Sequence, residues 1–370
     1  MRKALILGTN AGQADIINFL RENEWEVHSC GYKKEGPGVE LAHQFHLVNT
    51  TDVEAVKKLA QDLKVDIVYS VSSDTNIRSA TKVAEELGLP CLLGSEIIDL
   101  FHFKDRLRKF LNDNNINTVG FIKVTSVEEL EGWDIFPCVV KPTDSQGQRG
   151  VKLIYKKEDL HEAVASALSQ SDSKTAIVEE YLTGIEISTN IIVQHGKVLV
   201  NEFTERLVFG LHYFGLPKGH RIPVRSTSQQ IVDEAAEIAE NMIAKLKIQD
   251  AVLYIQMKVT ESGPKIIEVA PRLDGCHIWR LLKVAKGYDL RKFSIDLLIG
   301  NDITEKIDRA ISTEKYTLAF HHLKTGDKFS LAKINMPKDY LFNEFRYSDG
   351  ETVQPINGNL EVVGYYINNE

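Results

Sequence analysis

Along the first hundred residues the apolar positions follow two different periods. Short, largely apolar runs at Lys3–Leu7, Trp25–Ser29, Asp66–Ser70 and Leu89–Leu93 read as buried strands. Between them, Gln13–Glu22, Val53–Leu63 and Ile77–Leu87 place apolar residues three and four apart, the spacing of amphipathic helices. Strands alternating with short helices predict a parallel sheet covered on both faces, an α/β unit over residues 1–98. The turn Gly8 to Gly12 after the first strand lacks the spacing of a dinucleotide fingerprint. No acidic residue closes the second strand, so a nicotinamide site is not expected.

From about Ser95 the pattern changes. A basic helical segment, Phe101–Asn112, precedes strands broken by glycine at Cys138–Lys141, Val151–Tyr155, Ala176–Tyr181, Ile187–Gln194 and Lys197–Phe203. A long helix, Gln229–Leu246, leads into a hairpin of Leu253–Val259 and Lys265–Val269. Strands in runs with segregated helices predict α+β architecture over 99–305. Short strand patterns at Tyr316–His321 and Leu360–Tyr366 predict a small β-rich C-terminal subdomain, 306–370.

Composition narrows the function classes. Lys and Arg number 44 against 52 Asp and Glu, a formal net charge of −8, so no global field favours nucleic acid or anionic lipid. No apolar run approaches the ~20 residues that span a bilayer. The four cysteines, Cys30, Cys91, Cys138 and Cys276, lie far apart, without the paired spacing of a zinc or redox site, and predict buried thiols in a reducing cytoplasm.

Three stretches carry candidate chemistry. In VVKPTDSQGQRGV (139–151) a strand ends at Lys141, and a polar loop carries Gly147 and Gly150. Such a loop can turn backbone N–H groups toward phosphate, with Lys141 and Arg149 adding charge. A glycine-rich hairpin with a surface lysine is the plainer reading. In VEEYLTGIEIS (178–188), Glu179, Glu180 and Glu186 flank a Tyr-Leu pair. A carboxylate there can accept from ribose hydroxyls and the backbone can read an adenine edge; an acidic edge strand is the alternative. In the hairpin at 251–275, period-two alternation puts Tyr254, Gln256 and Lys258 on one face, with Glu268 ending the partner strand. Oxygen donors on adjacent strands suit Mg²⁺, although a plain cross-strand hydrogen bond uses the same residues.

In this order, with Lys104 in FHFKDR upstream and EVAPR downstream, the stretches resemble the ATP-grasp superfamily. Biotin carboxylase, D-alanine–D-alanine ligase, carbamoyl-phosphate synthase and the glycinamide ribonucleotide enzymes belong to it. The likeness runs from the first strand to about residue 305. It implies a Rossmann-like unit before an ATP-grasp domain of two subdomains, with ATP held between them. Lys104 and Lys141 then hold ATP, and Thr143–Gly150, including Gln146, Gly147, Arg149 and Gly150, forms the lid over the triphosphate. Glu179, Glu180 and Leu182 match the adenine-reading hinge, Glu186 the ribose carboxylate, and Gln256 and Glu268 the ligands of Mg²⁺ (or Mn²⁺). Many members read E-x-N where this chain has Glu268-Val269-Ala270, and Ala270 cannot ligate a second ion. The E-x-A-P-R form is similar to the carboxyaminoimidazole ribonucleotide synthetase branch.

Arg272, just past the metal strand, is the expected catalytic partner of Lys141, since a guanidinium fork suits a carboxylate or phosphate. An ion pair with Asp274 or another acid is its structural alternative. Relatives line the acceptor site between the hinge strand and the long helix. That implies substrate roles within residues 204–225, which hold Arg206, His212, Tyr213, His220 and Arg225, and for Arg272 and Asp274. The resemblance implies an ATP-dependent carboxylate–amine (or carboxylate–thiol) ligase that releases ADP and phosphate. Small-molecule acids and amines are its partners, and a homodimer is the family's habit. Two rivals remain: a bicarbonate-activating enzyme, and a nucleotide-binding protein without turnover.

Overall fold

A computed structural model describes residues 1–116, 118–147, 149–210, 213, 215–307, 314–355 and 360–370. The N-terminal unit runs β1 (Lys3–Leu7), α1 (Ala11–Glu22), β2 (Glu26–Gly31), α2 (Gly38–Leu41), β3 (Gln44–Leu47), α3 (Val53–Leu63), β4 (Ile67–Tyr69) and α4 (Asp74–Leu87). Its four strands are all parallel, in the order β3-β2-β1-β4. Alternate residues of β1 go to opposite faces. Ala4 and Ile6 pack with Ile16, Ile17 and Leu20 of α1, while Leu5 and Leu7 meet Val56 and Ala60 of α3 and Val83 of α4. The helices start on side-chain caps at Asn10, Asp52 and Ser73, and α4 stops at Gly88 in the left-handed conformation.

Next come α5 (Ser95–His102), α6 (Lys104–Asp113), β5 (Phe121–Val124), β6 (Cys138–Pro142), β7 (Lys152–Ile154), α7 (Leu160–Gln170) and β8 (Ala176–Glu180). The antiparallel sheet β5-β8-β6-β7 packs Val140, Ile154 and Val178 against Leu160, Val164 and Ala167 of α7. The rest of the chain forms β9 (Ile185–Gln194), β10 (Lys197–Val208), β11 (Pro217–Ile222), α8 (Gln229–Lys245), β12 (Ala251–Thr260), β13 (Gly263–Ala270), α9 (Ile278–Lys286) and α10 (Leu290–Leu298). Three strands follow: β14 (Tyr316–Lys324), β15 (Tyr340–Phe345) and β16 (Leu360–Asn369).

All eight of these strands join one antiparallel sheet, β13-β12-β9-β10-β11-β14-β16-β15. Ile187, Ile191 and Val193 of β9 face an apolar cluster with Ala235, Ala239 and Met242 of α8. The intervening Glu186, Ser188 and Asn190 therefore point to the other face, where buried polar groups collect. The β-rich segment at 306–370 is present, and its strands extend this sheet through the β11–β14 pairing.

Two expectations are corrected, and two elements were not expected. Leu89–Leu93 forms no strand: the Leu89 amide closes α4 on Ala84 O, and Pro90 has no N–H for a ladder. The helix expected at Phe101–Asn112 is two helices, because Phe103 is extended between them, and the Lys104 amide bonds Thr143 O instead. The pair α2 and β3 lies in a stretch with no readable periodicity.

Candidate active site

Lys141 is the penultimate residue of strand β6, and its ammonium pairs with Glu179 of the neighbouring β8. Arg108 of α6 reaches the same carboxylate from the other side, with Nε and Nη2 at 3.1 and 3.0 Å from Oε2. Its Nη1 also donates to Ile266 O of β13 at 2.7 Å. Burial alone would raise the Glu179 carboxyl, but Lys141 and Arg108 outweigh it and hold it at about 2. Glu179 is thus a counter-ion bound on both sides rather than a hinge residue open to adenine.

Lys104 opens α6 and donates its ammonium to Ser145 O of the glycine loop. Burial pushes this amine below the usual lysine range, and Glu268 opposes the shift. In the loop, Gly147 and Gly150 have φ of 65° and 72°, as the glycine pattern predicted, and a Cβ on Gly150 would stand 2.7 Å from Pro142 Cγ. Arg149 Nε donates to Gln146 O at 3.1 Å.

The hinge after β8 is partly committed. Glu180 accepts from the Gly120 amide at 2.8 Å, and the Tyr181 amide donates to Pro137 O. Leu182, next along, makes no backbone hydrogen bond among the described residues, so its N–H and C=O remain for an adenine edge. Gly184 is required where it stands, since a Cβ would lie 1.8 Å from Val259 O.

On the polar face of the large sheet two rows run across the strands. One is Glu268, Gln256, Ser188 and Thr204; the other is Lys258, Glu186, Arg206 and His220. Counting back from the β12–β13 turn would put Ile267 opposite Gln256. A bulge at that point skips Ile267 and brings Glu268 into register. Glu186 accepts from Arg206 Nη1 at 2.7 Å, Gln256 Nε2 at 2.9 Å and Lys258 Nζ at 3.1 Å. Gln256 Oε1 lies outside that network, and Glu268 has no hydrogen-bond or ion-pair partner among the described residues. A half-buried, unpartnered carboxylate opposite a free amide oxygen fits a hard cation that takes few protein ligands. No group of three or more His, Cys, Asp or Glu that could hold a metal ion occurs among the described residues.

Arg272 forms its fork with Asp74 at the start of α4, at 2.8 and 2.7 Å, and not with Asp274. The Asp74 amide donates to Gln146 Oε1 at 3.1 Å, which ties the glycine loop to the N-terminal unit. Asp274 accepts from Asn190 Nδ2 and from the amides of Cys276, Ile278 and Trp279, so its oxygens are occupied by the chain's own turn. Arg225 pairs with Glu370, away from this group, and His212 lies outside the described residues. Buried His220 lies beside Arg206 on β11.

Asp74 and Arg108 were not readable from the sequence: one is a helix-start residue and the other one of several basic residues on α6. With them, six cations (Lys104, Arg108, Lys141, Arg206, Lys258, Arg272) gather around five carboxylates (Asp74, Glu179, Glu186, Glu268, Asp274). In a chain of net charge −8 this is a local positive surplus, the condition for holding a polyanion.

Residues 135–279 match the ATP-grasp domain family, and the fold and this arrangement of strands and cations are similar to those of the ATP-grasp superfamily. Among curated relatives, the phosphoribosylamine–glycine ligase of Methanocaldococcus jannaschii is 23% identical, over 93% of this chain and 80% of its own. An L-amino acid ligase from Bacillus licheniformis has a similar structure, with TM-score 0.82, 15% identity and coverage of 100% and 93%. So does the biotin carboxylase domain of Hydrogenobacter thermophilus 2-oxoglutarate carboxylase, solved with MgADP and bicarbonate. Its TM-score is 0.79 at 13% identity, with coverage of 100% and 86%. No helix among the described residues is long and apolar enough to cross a membrane.

Proposed function

We propose that this protein is an ATP-dependent ligase that joins a small-molecule carboxylate to an amine through an acyl phosphate. The observation that carries the reading is the positive surplus around unpartnered Glu268. It offers charge for a triphosphate and an oxygen ligand for Mg²⁺ in one place. Lys104 and Lys141 bind the phosphates, Leu182 reads adenine, and Gln256 and Glu268 hold Mg²⁺, which cancels charge on the phosphates when bound. Arg272 exchanges Asp74 for the substrate's carboxylate and aims it at the γ-phosphorus. A carboxylate oxygen attacks there, and the bond to ADP breaks with its electron pair. The amine then attacks the acyl carbon and phosphate leaves. The 143–150 loop, tied to α4 through Gln146, shields the anhydride from water. The names of two relatives, phosphoribosylamine–glycine ligase and L-amino acid ligase, support a ligase reading.

The test is a panel of carboxylic acids incubated with ATP, Mg²⁺ and hydroxylamine. Hydroxamate formed in step with ADP is expected; AMP as the nucleotide product refutes the mechanism. Ala270 in the E-x-A-P-R form favours a second reading, bicarbonate activation, in which ADP release needs bicarbonate and yields no organic hydroxamate.

A further inference from the structure

His220 ends the polar row Lys258, Glu186, Arg206, His220 and is completely buried. Its Nδ1 lies 3.1 Å from Thr204 Oγ1, and the Thr204 hydroxyl donates to Ser188 O at 3.2 Å. Ser188 Oγ, at 3.4 Å, is a further neighbour of the same hydroxyl. In the arrangement where Thr204 donates to Ser188 O it accepts from His220, which places the ring proton on Nδ1 and a lone pair on Nε2. Nε2 has no partner among the described residues. Neither has Nε of Arg206, directly opposite on β10, whose Nη groups are held by Glu186 and Gly215 O. Burial, followed by the adjacent Arg206 charge, holds the His220 imidazole well below its usual range, so it is neutral at physiological pH.

An unpaired acceptor and an unpaired donor thus stand on facing residues whose Cβ atoms are about 4.5–5.5 Å apart. Leaving either group unpaired in the interior is unfavourable, so a partner there is expected. The two are complementary to a carbon that bears an oxyanion and an N–H group, which is the tetrahedral adduct of an amine and an acyl phosphate. Resting on the ligase reading above, we propose that His220 Nε2 accepts the proton of the attacking amine while Arg206 Nε–H donates to the acyl oxygen. The amine's lone pair forms the C–N bond, and the carbonyl π pair moves to oxygen. The N–H proton passes to Nε2. When the C=O re-forms, the C–O bond to phosphate breaks with its electrons, and phosphate takes the proton from Nε2.

Hydroxylamine traps acyl phosphate without help from the protein, which makes the two half-reactions separable. The variants are His220→Asn, which keeps a donor toward Thr204 but has no atom at Nε2, and Arg206→Lys, which keeps the charge beside Glu186 but lacks the Nε–H. Wild type and both variants are compared for hydroxamate yield and for amide formation with ammonium, glycine and the L-amino acids as probe amines. In each variant, a loss of amide formation about fiftyfold or more greater than any loss of hydroxamate supports the assignment. Unchanged amide formation in either folded variant overturns it. So does equal loss of both products, or a lower melting temperature with an unchanged product ratio, the signature of a resident water between the two side chains. Failure of wild type to form any hydroxamate instead overturns the ligase reading itself, and this assignment with it.

Discussion

Replacing Lys141 by Met tests the nucleotide site most directly, because the structure predicts two opposed consequences. Losing one charge-assisted bond to phosphate costs about 1.5–3 kcal/mol, or roughly ten- to a hundredfold in affinity. In the resting protein, however, the ammonium is already paired with Glu179. Nucleotide must draw it away from that carboxylate, so the loss falls toward the tenfold end. Met also leaves Glu179 Oε1 buried without its cation, while Arg108 keeps Oε2. That half-broken cluster lowers folding stability by about 1–3 kcal/mol. Calorimetric titration with ADP and Mg²⁺, alongside urea unfolding, measures both quantities on one preparation. A folded variant that binds ADP as tightly as wild type refutes the phosphate role. Unaltered stability with weakened binding refutes the ion-pair argument.

Glu268→Gln removes a carboxylate that no group of the described chain holds, so acid-dependent ADP release is expected to vanish with little change in melting temperature; wild-type turnover would place the metal elsewhere. Glu179 is held at about 2 in the fold, against an ordinary value near ~4.3. Its contribution is complete above the ordinary value and is lost as pH falls toward 2. Unfolding free energies at pH 5 and pH 3 should therefore differ by about 1.6 kcal/mol from this group, half of the roughly 3 kcal/mol it contributes in full. The gap should shrink in Glu179→Gln, and an equal gap in both proteins contradicts the assignment.

Residues whose role depends on local pattern were legible in the sequence. Lys141 at a strand end before two glycines, and Lys258 on the face of Gln256, needed only period-two alternation and turn chemistry. The N-terminal sheet was legible for the same reason, except at its edge. There β3 buries little, and its composition carries no signal. Long-range partners were not legible. Nothing near Asp74 shows that it meets Arg272, 198 residues away, and nothing near Arg108 points to Glu179. The opposition of Gln256 and Glu268 follows from residue type, yet it depends on a bulge at Ile267 that no count from the turn supplies.

The order of strands in the large sheet also sets an order of assembly. During synthesis β11 gains its inner neighbour β10 at once, but its outer neighbour β14 begins only at Tyr316, after all of β12, β13, α9 and α10. At translation rates of about 5–20 residues per second, the strand that bears His220 is an open edge for roughly 5–20 s. Unpaired edges recruit other strands. The Glu268 and Gln256 end of the sheet is thus completed on the ribosome well before the His220 end. Nucleotide present during translation can steady the first half, whereas the second waits for residues 316–369. A chaperone that shields β11 in that interval, or a synonymous pause site near residue 300, would change the yield of folded protein without touching a single contact in the finished structure.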